Sequence, residues 1–233
     1  MKKLSALIIA VIFSAMLVLS SACNIIAKGD LTSADPTQST QSSSDPSDEP
    51  KPSGRAVDLM SDVTSTAVES VSLGVEYADA YNAFAAKLFN LLYEGKNELI
   101  SPLSIELALS MTANGADGAT KTQMENVLFS GGDIDKFNAY NKAYIKSLES
   151  VNDISVKVAN SIWFNDDPLF SVEHGFLQAN ADYYNAGAFN APFDLATLAD
   201  INGWVSDKTE GMIIKIIDDI SKDAVMYLIN ALL

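Results

Sequence analysis

Nucleophilic catalysis by a serine needs a general base within hydrogen-bond reach, and this chain holds one imidazole, His174. It stands between Glu173 and Gly175 in a segment predicted to be helical, and no G-x-S-x-G turn is present to offer a serine beside it. His174 therefore reads as a solvated surface residue. Cys23 is the sole thiol, so no intramolecular disulfide can form, and one Cys with one His makes no thiolate/imidazole zinc site without borrowed carboxylates. Asp166-Asp167 and Asp218-Asp219 are the candidate acid/base pairs. Adjacent carboxylates beside Pro168 or after Ile216-Ile217 are ordinarily loop or helix-end charges instead. The stretch from Asn114 to Gly118 has the glycines and Asp117 of a calcium loop but lacks its alternating acidic positions and terminal Glu, and reads as a turn. No glycine-rich phosphate motif occurs. The parts of an enzyme are not assembled, and neither a metal nor an organic cofactor is expected.

The elements around these residues belong to a chain of 233 residues, long enough for one or two domains. Its 15 Lys and Arg against 30 Asp and Glu give a net charge of -15, which argues against a general nucleic-acid binder, because phosphate recognition needs a basic surface to release counterions. The acidity reads as a solubility device.

The N-terminus reads as an address. Lys2 and Lys3 precede an uncharged apolar run from Leu4 to Leu19, then come Ser20, Ser21, Ala22 and Cys23. Basic, apolar and small segments in that order predict a secretory signal peptide over residues 1–22. At 16 residues the run falls short of the roughly 20 that a bilayer span requires. The uncharged stretch continues through Ala27, however, so an uncleaved anchor is the competing reading. The segment from Leu19 to Cys23 resembles a bacterial lipobox, which implies that Cys23 is the lipid attachment site and the first mature residue. It departs from the commonest pattern in placing Ser20 three before the Cys, with Leu19 one place further out. A secreted chain with a leftover thiol is the plainer alternative. Either address puts the mature protein outside the cytoplasmic membrane.

Within residues 23–56, the stretch from Asp30 to Arg55 turns to Ser, Thr, Pro, Asp, Gln and Glu, with Pro36, Pro46, Pro50 and Pro52. So little apolar surface cannot offset the entropy of ordering, and a disordered tether is predicted. Coil statistics place the following domain roughly 30 Å or more from the membrane face.

Residues 57–233 form that domain. Val57, Met60, Val63, Ala67 and Val71 predict a marginal helix over Val57 to Gly74, weakened by Thr64, Ser65, Thr66 and Ser70. Tyr81, Phe84, Ala85, Leu88, Phe89 and Leu92 make one apolar stripe in a helix from Tyr77 to Tyr93, stopped near Gly95. Leu99-Ile100 reads as a short strand. Ser101 then caps a helix whose first position is Pro102, where a missing N–H costs nothing, and which runs to Asn114. Helices are predicted over Thr120 to Phe129 and Asp133 to Ser150. The period then changes: Ile154, Val156, Val158, Asn160, Ile162 and Phe164 alternate with Ser155, Lys157, Ala159, Ser161 and Trp163 in one long strand. Ser171 to Tyr184 is a predicted helix, Ala188 to Phe193 a short strand, and Leu195 to Glu210 a helix ended by Gly211. Ala224 to Leu233 is almost continuously apolar and predicts a central strand buried on both faces, with a terminal helix as the alternative. Such a strand needs neighbours and covering layers beyond those the earlier elements supply, so the chain reads as part of a longer domain or as one completed by another polypeptide.

Several stretches together resemble the first part of a serpin: Asn97 to Ile105 with its Ser101-Pro102-Leu103-Ser104, Met111 to Ala116, Thr120 to Met124, Ala159 to Trp163, Tyr183 to Ala186, Ile201 to Val205 with Thr209 to Gly211, and Leu228 to Ala231. They occur in the family's order and spacing over residues 76–233. The resemblance implies an α+β fold, here an incomplete serpin fold with helices packed around a large β-sheet and its C-terminal strands and reactive loop absent. It implies no cofactor. It also implies that Ser101, Ser104 and Asn230 form the polar cluster beneath the opening sheet, and that the helix carrying Asn202 and Trp204 lies across the sheet face. Ser101 as a plain helix cap and Asn230 as a partner for buried backbone fit the same residues.

For the full-length protein the resemblance implies an inhibitor of serine or cysteine proteases that traps its target as a suicide substrate, displayed at the cell surface on its lipid or secreted. Its partners are then the target protease and the membrane, not nucleic acid, and this chain, without its reactive loop, is expected to be inactive alone. A non-inhibitory surface-tethered binding or scaffold lipoprotein is the alternative, and a truncated gene product without a stable fold is the third.

Overall fold

The computed structural model describes residues 56–69, 71–151 and 156–233. The expected signal peptide, lipid attachment at Cys23 and nearly all of the tether fall outside the described residues, as do Ile154 and Ser155 of the long strand.

Helix α1 (Val75–Leu92) turns Tyr77, Ala80, Phe84 and Leu88 into the protein. The buried seam is rotated from the predicted stripe, and Phe89 is left exposed. Helix α2 (Pro102–Ala113) begins as its sequence dictates, with Ser101 Oγ accepting from the Ser104 N–H at 3.3 Å. It is buried nearly all round, which is why it shows no polar face. Helices α3 (Gly118–Leu128) and α4 (Ile134–Glu149) complete a cluster in which Phe137 stacks on Phe129 at 4.6 Å. Helix α5 (His174–Tyr184) ends at Asn185, whose φ of 47° is the left-handed conformation that asparagine tolerates. Asp194 caps α6 (Leu195–Lys208), accepting from the N–H groups of Ala196 and Thr197.

Four strands form a mixed sheet in the order β1-β3-β2-β4, namely β1 (Val57–Asp58), β2 (Val158–Asn165), β3 (Gly187–Ala191) and β4 (Met226–Leu232). The β2–β3 pair is parallel, with α5 as its crossover, and β4 runs antiparallel to β2 with Asn160 opposite Asn230. Side-chain alternation separates two cores. Ile162, Phe164 and Ala188 pack with Leu103, Leu107 and Met111 of α2, while Trp163, Ile229 and Ala231 pack with Ile201 and Val205 of α6. The sheet is thus sandwiched between the α2 side and α6.

Two expectations need correction. Among the described residues Val57 to Gly74 forms no helix: it gives β1, then a turn and a strap without regular secondary structure. The strap is fastened by the Leu59 N–H to the Ala188 carbonyl at 2.9 Å and by Thr66 N–H and Oγ1 to the Asp182 carboxylate. Thr66, one of the residues that weaken the helix, thus finds its partner outside it, and the Thr64 carbonyl accepts from Gln178 Nε2 at 3.0 Å. Leu99-Ile100 joins no sheet, Leu99 being exposed and Ile100 packed on the first helical core. In the described sheet the strand buried on both faces is β2, whose residues from Asn160 to Phe164 are all buried. Ala224 to Leu233 gives strand β4, as predicted in type; among the described residues it has β2 on one side and is of mixed burial.

Candidate functional site

The sheet seam carries a buried polar pair. Asn160 lies on the α2-facing side of β2, the side otherwise occupied by Ile162 and Phe164. Its Nδ2 donates to the Tyr184 carbonyl at 2.9 Å, and its Oδ1 accepts from Asn230 Nδ2 at 2.7 Å. This bridges β2 to β4 by side chains as well as by the backbone ladder. Asn230 Oδ1 is buried without a partner among the described residues. Ser101 and Ser104 share a hydrogen bond between their Oγ atoms at 2.9 Å at the start of α2, which packs on β4. Of the predicted cluster, Ser101 pairs with Ser104 and Asn230 with Asn160, and no hydrogen bond among the described residues joins the serines to Asn230. Asn160 was not foreseen as the partner of Asn230, although an asparagine within an apolar strand face signals a buried group that must find partners.

On the other face, Asn202 clamps the segment after α6. Its Oδ1 accepts from the Ile216 and Ile217 N–H groups at 2.8 and 3.1 Å, and its Nδ2 donates to the Ile217 carbonyl at 3.0 Å. Asn202→Ala is expected to destabilise the protein by about 1–3 kcal/mol, since partly buried backbone groups lose their partners. Limited proteolysis should then cut the segment between α6 and β4 sooner; unchanged cleavage would contradict the clamp. Trp204 is half-buried at the margin of this core, with Lys208 Nζ 5.8 Å from its ring centre.

Behind the seam lies a second polar cluster that the sequence did not announce. Glu106, on α2, is 2% exposed. Its Oε1 accepts from Ser110 Oγ at 2.8 Å and from Asn141 Nδ2 of α4 at 2.9 Å, while Oε2 is buried with no partner among the described residues. Asn141 also receives Tyr77 Oη of α1 at 3.0 Å and donates to Tyr184 Oη of α5 at 3.2 Å. Tyr184 Oη in turn donates to Asn138 Oδ1. Burial raises the Glu106 carboxyl to about 7, against the opposing pull of Asn141 and Ser110. Burial, and then the Glu106 charge, push the Tyr77 and Tyr184 phenols upward as well.

The early catalytic candidates stay apart. His174 is exposed at the first turn of α5, Asp166-Asp167 follow β2 in a loop, and Asp218-Asp219 lie in the connection to β4. Asn114 and Gly115 form a turn, as expected. Among the described residues no group of three or more His, Cys, Asp or Glu gathers to hold a metal ion.

The helices and the mixed four-stranded sheet make an α+β domain, and a family model described as serpin (serine protease inhibitor) matches residues 79–233. The chain belongs to the serpin family. It is 28% identical over 155 residues to Serpin-ZX of Arabidopsis thaliana, a match covering 63% of this chain and 39% of the relative. It is 30% identical over 155 residues to corticosteroid-binding globulin of Mus musculus, covering 65% and 38%. The crystal structure of tengpin, a thermophilic serpin, in its native state superposes with a TM-score of 0.70 at 42% identity, covering 76% of this chain and 46% of tengpin. The chain spans about two fifths of the length of these curated relatives. The described elements are a partial serpin fold corresponding to the family's N-terminal portion, and the family's members are in general protease inhibitors rather than enzymes.

Proposed function

We propose that the full-length protein inhibits serine or cysteine endopeptidases by suicide-substrate trapping, outside the cell, tethered through a lipid on Cys23 after removal of residues 1–22. Its domain begins near Val57 on this reading, with residues 23–56 as the spacer. The observation that carries it is the side-chain bridge from Asn230 to Asn160 across β2 and β4. A sheet that must admit another strand needs polar groups at its seam that can exchange partners, and Asn230 has an acceptor to spare. Ser101 and Ser104 would supply the neighbouring hydroxyls, and α6, with Asn202 and Trp204, would be the layer that accommodates the widening sheet. In such a trap a protease attacks an exposed loop, the loop enters the sheet as a new strand, and the acyl-enzyme is carried with it.

The expected result is a denaturant-resistant adduct between the full-length protein and at least one member of a panel of serine and cysteine proteases, seen as a band of summed mass on a denaturing gel. Plain cleavage by every protease, or no reaction, would support the second reading, a surface-tethered binding or scaffold lipoprotein. That reading draws on the likeness to corticosteroid-binding globulin, whose name describes binding and not inhibition.

A further inference from the structure

Glu106 is surrounded by groups that cannot neutralise it. Tyr77 and Tyr81 face it from α1 and Tyr184 from α5. Asn141 reaches it from α4, where Tyr144 closes the cluster by packing its ring on Tyr77 and Tyr81. Ser110 is the partner on its own helix. Among the described residues, no Lys, Arg or His forms an ion pair with it, and no ionisable side chain of α3 or β4, which also pack on α2, bears on it. A neutral carboxylic acid can rest in such a site. A carboxylate there is an unpaired buried charge with one bare oxygen, a state relieved by admitting water or by moving the helices that exclude it.

The cluster is also wired to the sheet. Tyr184 holds Asn141 and Asn138 through its hydroxyl and Asn160 through its backbone carbonyl, and Asn160 holds Asn230. A continuous chain of hydrogen bonds therefore runs from the carboxyl on α2, through the last residue of α5, to the β2–β4 seam. We propose that Glu106 is a proton-operated latch: neutral, it fastens α1, α4 and α5 to α2 and keeps the β2–β4 seam closed; ionised, it loosens both. The device resides in this chain's own residues and needs no protease, so its success or failure is separable from that of the inhibitory reading.

Hydrogen exchange on the full-length protein at pH 5 and pH 8, corrected for intrinsic rates, tests it. Backbone protection of the β2–β4 pair, at Ile162 and Ile229, should fall at least tenfold between the two conditions, with its midpoint near neutrality. Glu106→Gln should abolish that change. Tyr184→Phe should leave the carboxyl titrating near neutrality but uncouple the seam from it. In the unmodified protein, the carbon-13 signal of the Glu106 carboxyl reports the titration directly, so a poorly folding Gln variant does not spoil the test. Seam protection that does not vary with pH, pH dependence that persists in both variants, or a Glu106 signal titrating in the ordinary carboxylate range would each overturn the latch.

Discussion

Trp163→Ala is expected to destabilise the protein by about 3–5 kcal/mol, the range for removing a large aromatic from a closed core. Trp163 is 2% exposed and projects from β2 into the layer beneath α6. Its ring stacks on Phe189 of β3 at 4.4 Å, and its Nε1 donates to Ser161 Oγ at 3.0 Å. Truncation leaves three deficits together: a cavity below Ile201 and Val205, a Phe189 ring without its stacking partner, and a buried Ser161 hydroxyl without its donor. Urea unfolding should show a lower midpoint with an unchanged slope, because the surface exposed on unfolding hardly differs. Trp163→Phe keeps the stack and much of the volume, so it should lose less than half as much. A loss below about 1 kcal/mol for the alanine variant would mean that α6 is not anchored through this side chain.

The contrast between Trp163 and its neighbours also explains what could be read in advance. Alternation from Ile154 to Phe164 predicted the strand found as β2 over Val158–Asn165, and Ser101-Pro102 located the start of α2, since both signals are local and depend on backbone geometry. Burial is not local. In the described sheet β2 is the strand covered on both sides, although it contains Asn160 and Ser161. Those two polar residues are tolerated because each finds a partner, in Tyr184 and Asn230 for one and Trp163 for the other. Glu106 was hidden for a related reason. In sequence it is a single acid among Leu103, Ile105, Leu107 and Leu109, a spacing that permits an exposed face, and only the packing of α1, α4 and α5 closes that face. The strap over residues 56–69 could not be read at all, since its bonds to Ala188 and Asp182 join segments more than a hundred residues apart.

The burial of Glu106 makes the stability of the whole protein depend on pH in an unusual direction. Its carboxyl binds protons more tightly folded, at about 7, than at the ordinary value of 4.5 expected of the unfolded chain. Between those values the native state holds more protons, so stability falls as pH rises through the window. The contribution is fully present below pH 4.5, and about 3 kcal/mol of it is gone by pH 8, at about 1.4 kcal/mol per pH unit of difference. The depressed carboxyls work oppositely and elsewhere. Asp182, despite some desolvation, is held low by Thr66 and Gln178, and Glu210 is held low by Lys157. Their stabilisation is lost only as pH drops through and below the normal carboxylate range. Urea midpoints measured at pH 5 and pH 8 should therefore differ in favour of the acid condition. Glu106→Gln should flatten that difference while retaining the shape of the side chain, although its amide brings donors that the bare oxygen did not and so recovers less than the full 3 kcal/mol at pH 8. Equal midpoints in the unmodified protein would mean that water or a rearranged partner reaches Oε2, and that this carboxylate is not isolated.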